Sequence, residues 1–284
     1  MFECGGSCMK CLTIEKRFLT RTIWSAVAAV TVLALSSGGN LAVAQGPPPP
    51  AYTGPFDAHD LSGYWELGLD DRSVPPAELT AAAKAKEHDM RDADAISMLY
   101  CRPLGTPATM DPGGRPLSIT QGKYEVLITA PVNSQHRHLY FNNAHVDPNI
   151  YDPSSAGDSI AKWEGDTLVV DTIGFHEKNG RLMIPGGGYR TPESHLVERY
   201  KLIKSGQVLS VTSTWTDPKV FATPHTYEFW YRRVAEPFEP RPGLGCNAWD
   251  PERKELIMRA FSPELKKKAE AAMVPPGAAP KGKY

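Results

Sequence analysis

From residue 59 onward, short alternations of apolar and polar residues recur between turn residues, and this rhythm predicts strands. The predicted strands cover 61–67, 117–121, 124–130, 137–142, 159–163, 167–173, 195–203, 208–215 and 226–233. Gly122-Lys123, Glu164-Gly165-Asp166 and Ser205-Gly206 separate neighbouring runs as short hairpin turns. Leu209, Val211, Ser213 and Trp215 share one face, and Tyr227, Phe229 and Tyr231 share another. One N-terminal helix is predicted over 78–91, where Ala and Lys follow Pro75-Pro76, and one C-terminal helix over 263–273. Helices do not alternate with the strands, which excludes a parallel α/β fold. The pattern predicts a mainly β protein, an antiparallel meander of about eight strands closed into a barrel or packed as a sandwich.

The N-terminus follows a different pattern. Lys10, Lys16, Arg17 and Arg21 precede an apolar run of 13 residues, 23–35, and Ala42-Val43-Ala44 follows it. A basic region, an apolar stretch and a small-residue site make a secretory signal peptide, cleaved after Ala44. Thirteen residues are too few to cross about 30 Å of hydrocarbon as a helix, so no membrane span is expected in the mature chain. Met9 offers an alternative start. The predicted organisation is a signal peptide over 1–44, a Pro-rich lead-in over 45–58, the barrel domain over 59–250, and a C-terminal helix with a loose tail over 251–284. The mature chain is then periplasmic or extracellular.

Charge and cysteine content narrow the picture further. The 284 residues carry 31 Lys+Arg and 32 Asp+Glu, and cleavage leaves a net charge of −3. That balance excludes a strongly basic nucleic-acid binder. Cys4, Cys8 and Cys11 fall in the discarded segment, leaving Cys101 and Cys246. Two cysteines in an oxidising compartment predict one disulfide, with two buried free thiols as the alternative.

Asp60-Leu61-Ser62-Gly63-Tyr64-Trp65 places a Gly-x-Trp on the first strand. It resembles the opening strand of lipocalins and related calycin barrels, where the Trp plugs the closed end. Residues 163–175, Trp-Glu-Gly-Asp-Thr-Leu-Val-Val-Asp-Thr-Ile-Gly-Phe, and His195-Leu196-Val197-Glu198-Arg199 add to the resemblance. Together with D-L-S-G-x-W they resemble a large, mostly uncharacterised family of exported bacterial proteins, over about residues 59–250. The sequence departs from that pattern at 140–145, Tyr-Phe-Asn-Asn-Ala-His, where D-G-R before H-P is common, and at His176, where Asn is common. The resemblance implies an exported, calycin/lipocalin-like barrel and little about a reaction.

Six of the eight histidines lie between 136 and 225. His145, His176 and His195 stand at predicted strand ends, near Asp171 and Glu198. A His–carboxylate pair suits proton transfer near neutral pH, because the carboxylate fixes the tautomer. These five residues are the candidate catalytic set. Arg137 and Arg199 could hold an oxyanion, and Tyr140, Trp163 and Trp215 could wall a pocket for a small aromatic or amphipathic molecule at the barrel mouth. His136 and His138 form an i, i+2 pair of the kind that ligates metals on strands, but H-E-x-x-H and a mature cysteine pair motif are absent. G-x-S-x-G and G-x-G-x-x-G are also absent, so the expectation is cofactor-free chemistry with no metal. The predicted activity is that of a lyase, ether-cleaving enzyme or hydrolase. A non-catalytic lipocalin-like binder and a subunit or surface-interaction module, in a homo- or hetero-oligomer, remain alternatives.

Overall fold

A computed structural model describes residues 52–103, 105–110, 116–130, 135–141, 144–147, 149–150, 152–176, 182, 187–234 and 250–272. The chain divides into two units, Met1–Gly46 and Pro47–Tyr284, and every described residue belongs to the second. The predicted signal peptide, the first half of the Pro-rich lead-in and Cys246 lie outside the described residues.

Nine strands form: β1 Gly63–Ser73, β2 Leu117–Gln121, β3 Glu125–Ala130, β4 Gln135–Tyr140, β5 Asp158–Glu164, β6 Thr167–Ile173, β7 His195–Ile203, β8 Val208–Thr216 and β9 His225–Val234. Each pairs with its sequence neighbours, and β1 pairs with β9 to close a barrel. Barrel and sandwich were both open from the pattern; the β1–β9 ladder makes it a barrel.

The expected antiparallel meander of about eight strands forms with nine, and departs from expectation in one parallel pair. Strand direction can alternate all the way round a ring only when the number of strands is even. With nine, one neighbouring pair must run parallel, and here it is β4–β5, joined by the single pair Tyr140↔Ile160. A parallel neighbour cannot follow through a tight hairpin. The crossover between Tyr140 and Asp158 must therefore return along the barrel, and it carries His145 over the outer wall.

The alternation decides what is inside. Leu168, Val170 and Thr172 of β6, Leu196, Glu198, Tyr200 and Leu202 of β7, and Tyr227, Phe229 and Tyr231 of β9 are buried, while their neighbours face outward. Trp65, Trp215, Tyr200, Tyr231 and Phe229 are almost wholly excluded from solvent and fill inward positions with bulk. Trp65 donates from Nε1 to the Leu61 carbonyl at 2.9 Å, and the Arg233 guanidinium lies 4.4 Å from its ring centre. Gly63 explains itself here: its φ is +140°, and a Cβ would meet Arg233 at 3.3 Å.

The helices differ from expectation. Helix α1, Ala81–Leu99, starts three residues later and runs eight residues further than predicted; the Thr80 hydroxyl caps it by accepting from the Ala83 amide. The C-terminal region holds two helices, α2 Pro251–Arg259 and α3 Pro263–Ala271. Asp250 caps α2 and Ser262 caps α3, each with Pro in the first turn. Ile96 and Leu99 of α1 meet Ala269, Ile257 and Leu265 in a small second core. Among the described residues no helix is long and apolar enough to cross a membrane.

Candidate functional site

Asp171 stands on the outward face of β6, one residue from inward-facing Val170 and Thr172. His195 Nε2 lies 2.9 Å from its Oδ2, and His145 Nε2 lies 2.9 Å from its Oδ1. The other nitrogen of His145, Nδ1, lies 2.9 Å from Asp158 Oδ2, which also accepts from the Val146 amide. The result is one chain of groups, Asp158–His145–Asp171–His195. Asp158 and Asp171 come from the β5–β6 hairpin, His195 opens β7, and the crossover delivers His145.

The ionised carboxylates can only accept, so the ring nitrogens facing them donate. With Nε2–H of His195 committed to Asp171, a neutral His195 carries its lone pair on Nδ1. That nitrogen makes no hydrogen bond among the described residues, and the side chain is 42% exposed. His145 is 19% exposed and Asp158 only 7%, so the chain of groups runs from solvent at His195 to a buried carboxylate at the start of β5. Burial works to raise the Asp171 carboxyl, but hydrogen bonds from His195 and His145, with their charge, outweigh it and hold it below the ordinary value.

Expected and observed positions diverge for much of the remaining set. The relay lies on the outer wall at the ends of β5, β6 and β7, whereas the sequence reading put the histidines at the barrel mouth. His176 follows β6, and its amide donates to the Ser154 carbonyl at 3.2 Å. Glu198 is not beside His195. It is 1% exposed inside the barrel, in an ion pair with the equally buried Arg137. Arg137 also donates to Ser159 at 3.2 Å and Thr172 at 3.0 Å, and the Tyr200 hydroxyl donates to Glu198 at 3.2 Å. Burial works to lower the Arg137 guanidinium, yet the Glu198 charge outweighs it and the group sits above its ordinary value.

The predicted ligand wall is also dispersed. Trp215 is buried and donates to the Tyr227 hydroxyl at 3.3 Å. Arg199 is exposed and bonds Glu164 at 3.1 Å. Trp163 packs between the core and His59, whose ring centre is 4.6 Å away. Tyr140 alone joins the relay's face. Cross-strand pairing sets Tyr140 beside Ile160, Ile160 beside Asp171, and Asp171 beside Val197, a row across the outer wall. Exposed Val146 and Ile173 add apolar surface near it.

Sequence reasoning missed Asp158. Its partner His145 lies 13 residues earlier across the crossover, with no periodic spacing to connect them. Arg137 is two residues from Leu139 on β4 and so shares its face, and an apolar residue at 139 is the available sign that Arg137 points inward too. A separate cleft of about 450 Å³ lies between α1 and the segment before β7, lined by Lys86, Tyr189, Thr191, Glu193 and Lys219. It shares no residue with the relay. Three donors converge among the described residues at His88, Asp89 and Asp92 on α1. No model of a known protein family matches the chain, and no curated protein matches it significantly.

Proposed function

We propose that this is an exported barrel enzyme that acts on a small aromatic molecule by cofactor-free acid–base chemistry, as a lyase, ether-cleaving enzyme or hydrolase. The observation that carries the reading is Asp171 held between two imidazoles at 2.9 Å each, with His195 open to solvent. His195 Nδ1 is the group that takes a proton from a substrate hydroxyl or a water. Asp171 stabilises the imidazolium so formed and keeps the ring in the required tautomer. His145, braced by Asp158, fixes the second oxygen of Asp171. Tyr140, Ile160 and Val197 offer the ledge against which an aromatic ring packs.

The outer wall suits a ligand better than the interior, where Trp215, Tyr200, Phe229 and Tyr231 already stand. That crowding weighs against the lipocalin-like binder. In the same reading the chain is cleaved after Ala44, Cys101 bonds Cys246, and the barrel is calycin-like, its Gly63-x-Trp65 strand packed under Arg233.

The test is a panel of aryl esters and aryl ethers, followed by phenolate release. His195→Ala should lose about 10²–10⁴-fold in turnover, and Asp171→Asn should fall in the same direction. A wild type inactive on the whole panel, or His145→Ala and His195→Ala variants with full turnover, would overturn the proposal.

A further inference from the structure

The outward face of β4 carries His136, His138 and Tyr140 at every second position, while Gln135, Arg137 and Leu139 are buried. The two imidazoles meet edge to face, with ring centres 5.5 Å apart and planes at 88°. His138 Nδ1 lies 2.6 Å from Glu125 Oε2 on the neighbouring strand β3. The carboxylate accepts from Nδ1–H, which leaves the lone pair of a neutral His138 on Nε2. Neither His138 Nε2 nor the His136 ring makes a hydrogen bond among the described residues. Tyr140 stacks on the far side of His138, with planes 12° apart, and limits how the ring can turn.

We propose that His136 and His138 form a binding site for a divalent transition metal of the zinc or copper kind. Imidazole suits both ions, and a ligating His commonly donates its other N–H to a carboxylate that orients it. Glu125 fills that second role. Metal–nitrogen distances of about 2.1 Å put two ligating ring centres roughly 5 Å apart, close to the spacing here. The exposure of both side chains leaves solvent able to supply the water ligands that complete the coordination. The site shares no residue with the Asp158–His145–Asp171–His195 relay and does not depend on the proposed reaction.

The test uses the full chain, with Cys4→Ser, Cys8→Ser and Cys11→Ser so that those thiols cannot contribute. Metal-free protein is titrated with Zn²⁺ and, separately, with Cu²⁺, by calorimetry and native mass spectrometry. The copper sample is also read by electron paramagnetic resonance for nitrogen ligands. One equivalent should bind. His136→Ala and His138→Ala should each weaken binding at least about tenfold, and Glu125→Gln by about tenfold, while His88→Ala leaves it unchanged. All four positions are on the surface, and circular dichroism checks that each variant keeps its fold. No binding of either metal, or binding that survives His136→Ala combined with His138→Ala, overturns the proposal. Survival there with loss in His88→Ala assigns the metal to the α1 cluster instead.

Discussion

Asp171 and His225 are single residues whose surroundings make opposite demands. The folded Asp171 carboxyl titrates below its free value of 3.8. Its contribution to stability is therefore complete above that value and is lost as pH falls through the lowered folded value. Asp171→Asn should flatten the acid limb of urea midpoints measured from neutral to low pH. His225 faces inward on β9, its ring centre 5.6 Å from that of Phe221 and 5.7 Å from that of Tyr227, with Nε2 buried and without a hydrogen-bond partner among the described residues. Burial lowers its pKa, so the unfolded chain binds the proton more readily. Stability then falls as pH drops below the free value of 6.5. His225→Phe keeps the ring stacking and removes the orphan nitrogen. It should gain about 1 kcal/mol and lose that pH dependence. Urea midpoints on either side of the free value check both effects.

At the scale of elements, alternation made the strands readable and left their inward side ambiguous. Strands β6 and β7 match the predicted ranges residue for residue, because a hairpin turn bounds each at one end and most alternate residues, Leu168 and Val170 in β6 and Leu196, Tyr200 and Leu202 in β7, are apolar. Helix α2 was missed because Asp250-Pro251 reads equally as a turn and as a cap followed by a first-turn proline. The sequence assigns Glu198 to the catalytic set and Arg137 to an oxyanion at the barrel mouth, since a local pattern cannot show that the two side chains meet inside the core. Glu198→Gln should leave the guanidinium buried without its counter-charge and cost about 3–5 kcal/mol. Arg137→Met combined with Glu198→Leu should cost far less than Glu198→Gln alone, because it removes both charges. Urea denaturation of the single and double variants measures the difference.

Across the whole molecule, the odd strand count concentrates weakness in one place. Every neighbouring pair but β4–β5 shares at least three register pairs, and β4–β5 shares one. Amide exchange should be faster along the facing edges of β4 and β5 than in β7 and β8, which share nine. The proposed Cys101–Cys246 bond would tie the end of α1 to the segment after β9. Reduction should add two hydrogens to the intact mass, and in the chain-entropy model Cys101→Ser should cost about 4–5 kcal/mol.

Closure by β1 and β9 also bears on how the chain reaches this state. Tyr64 pairs with Val234, 170 residues later. A hairpin such as β7–β8 can zip up in isolation, but the ring cannot shut until its last strand has been made. Contacts this distant in sequence slow folding into the millisecond-to-second range typical of all-β domains. Until then β1 and β9 present bare edges that could pair with other chains. The ring of a chain with this topology therefore stays open until β9 has been made, and in the proposed exported form that delay is compatible with transport through a narrow channel.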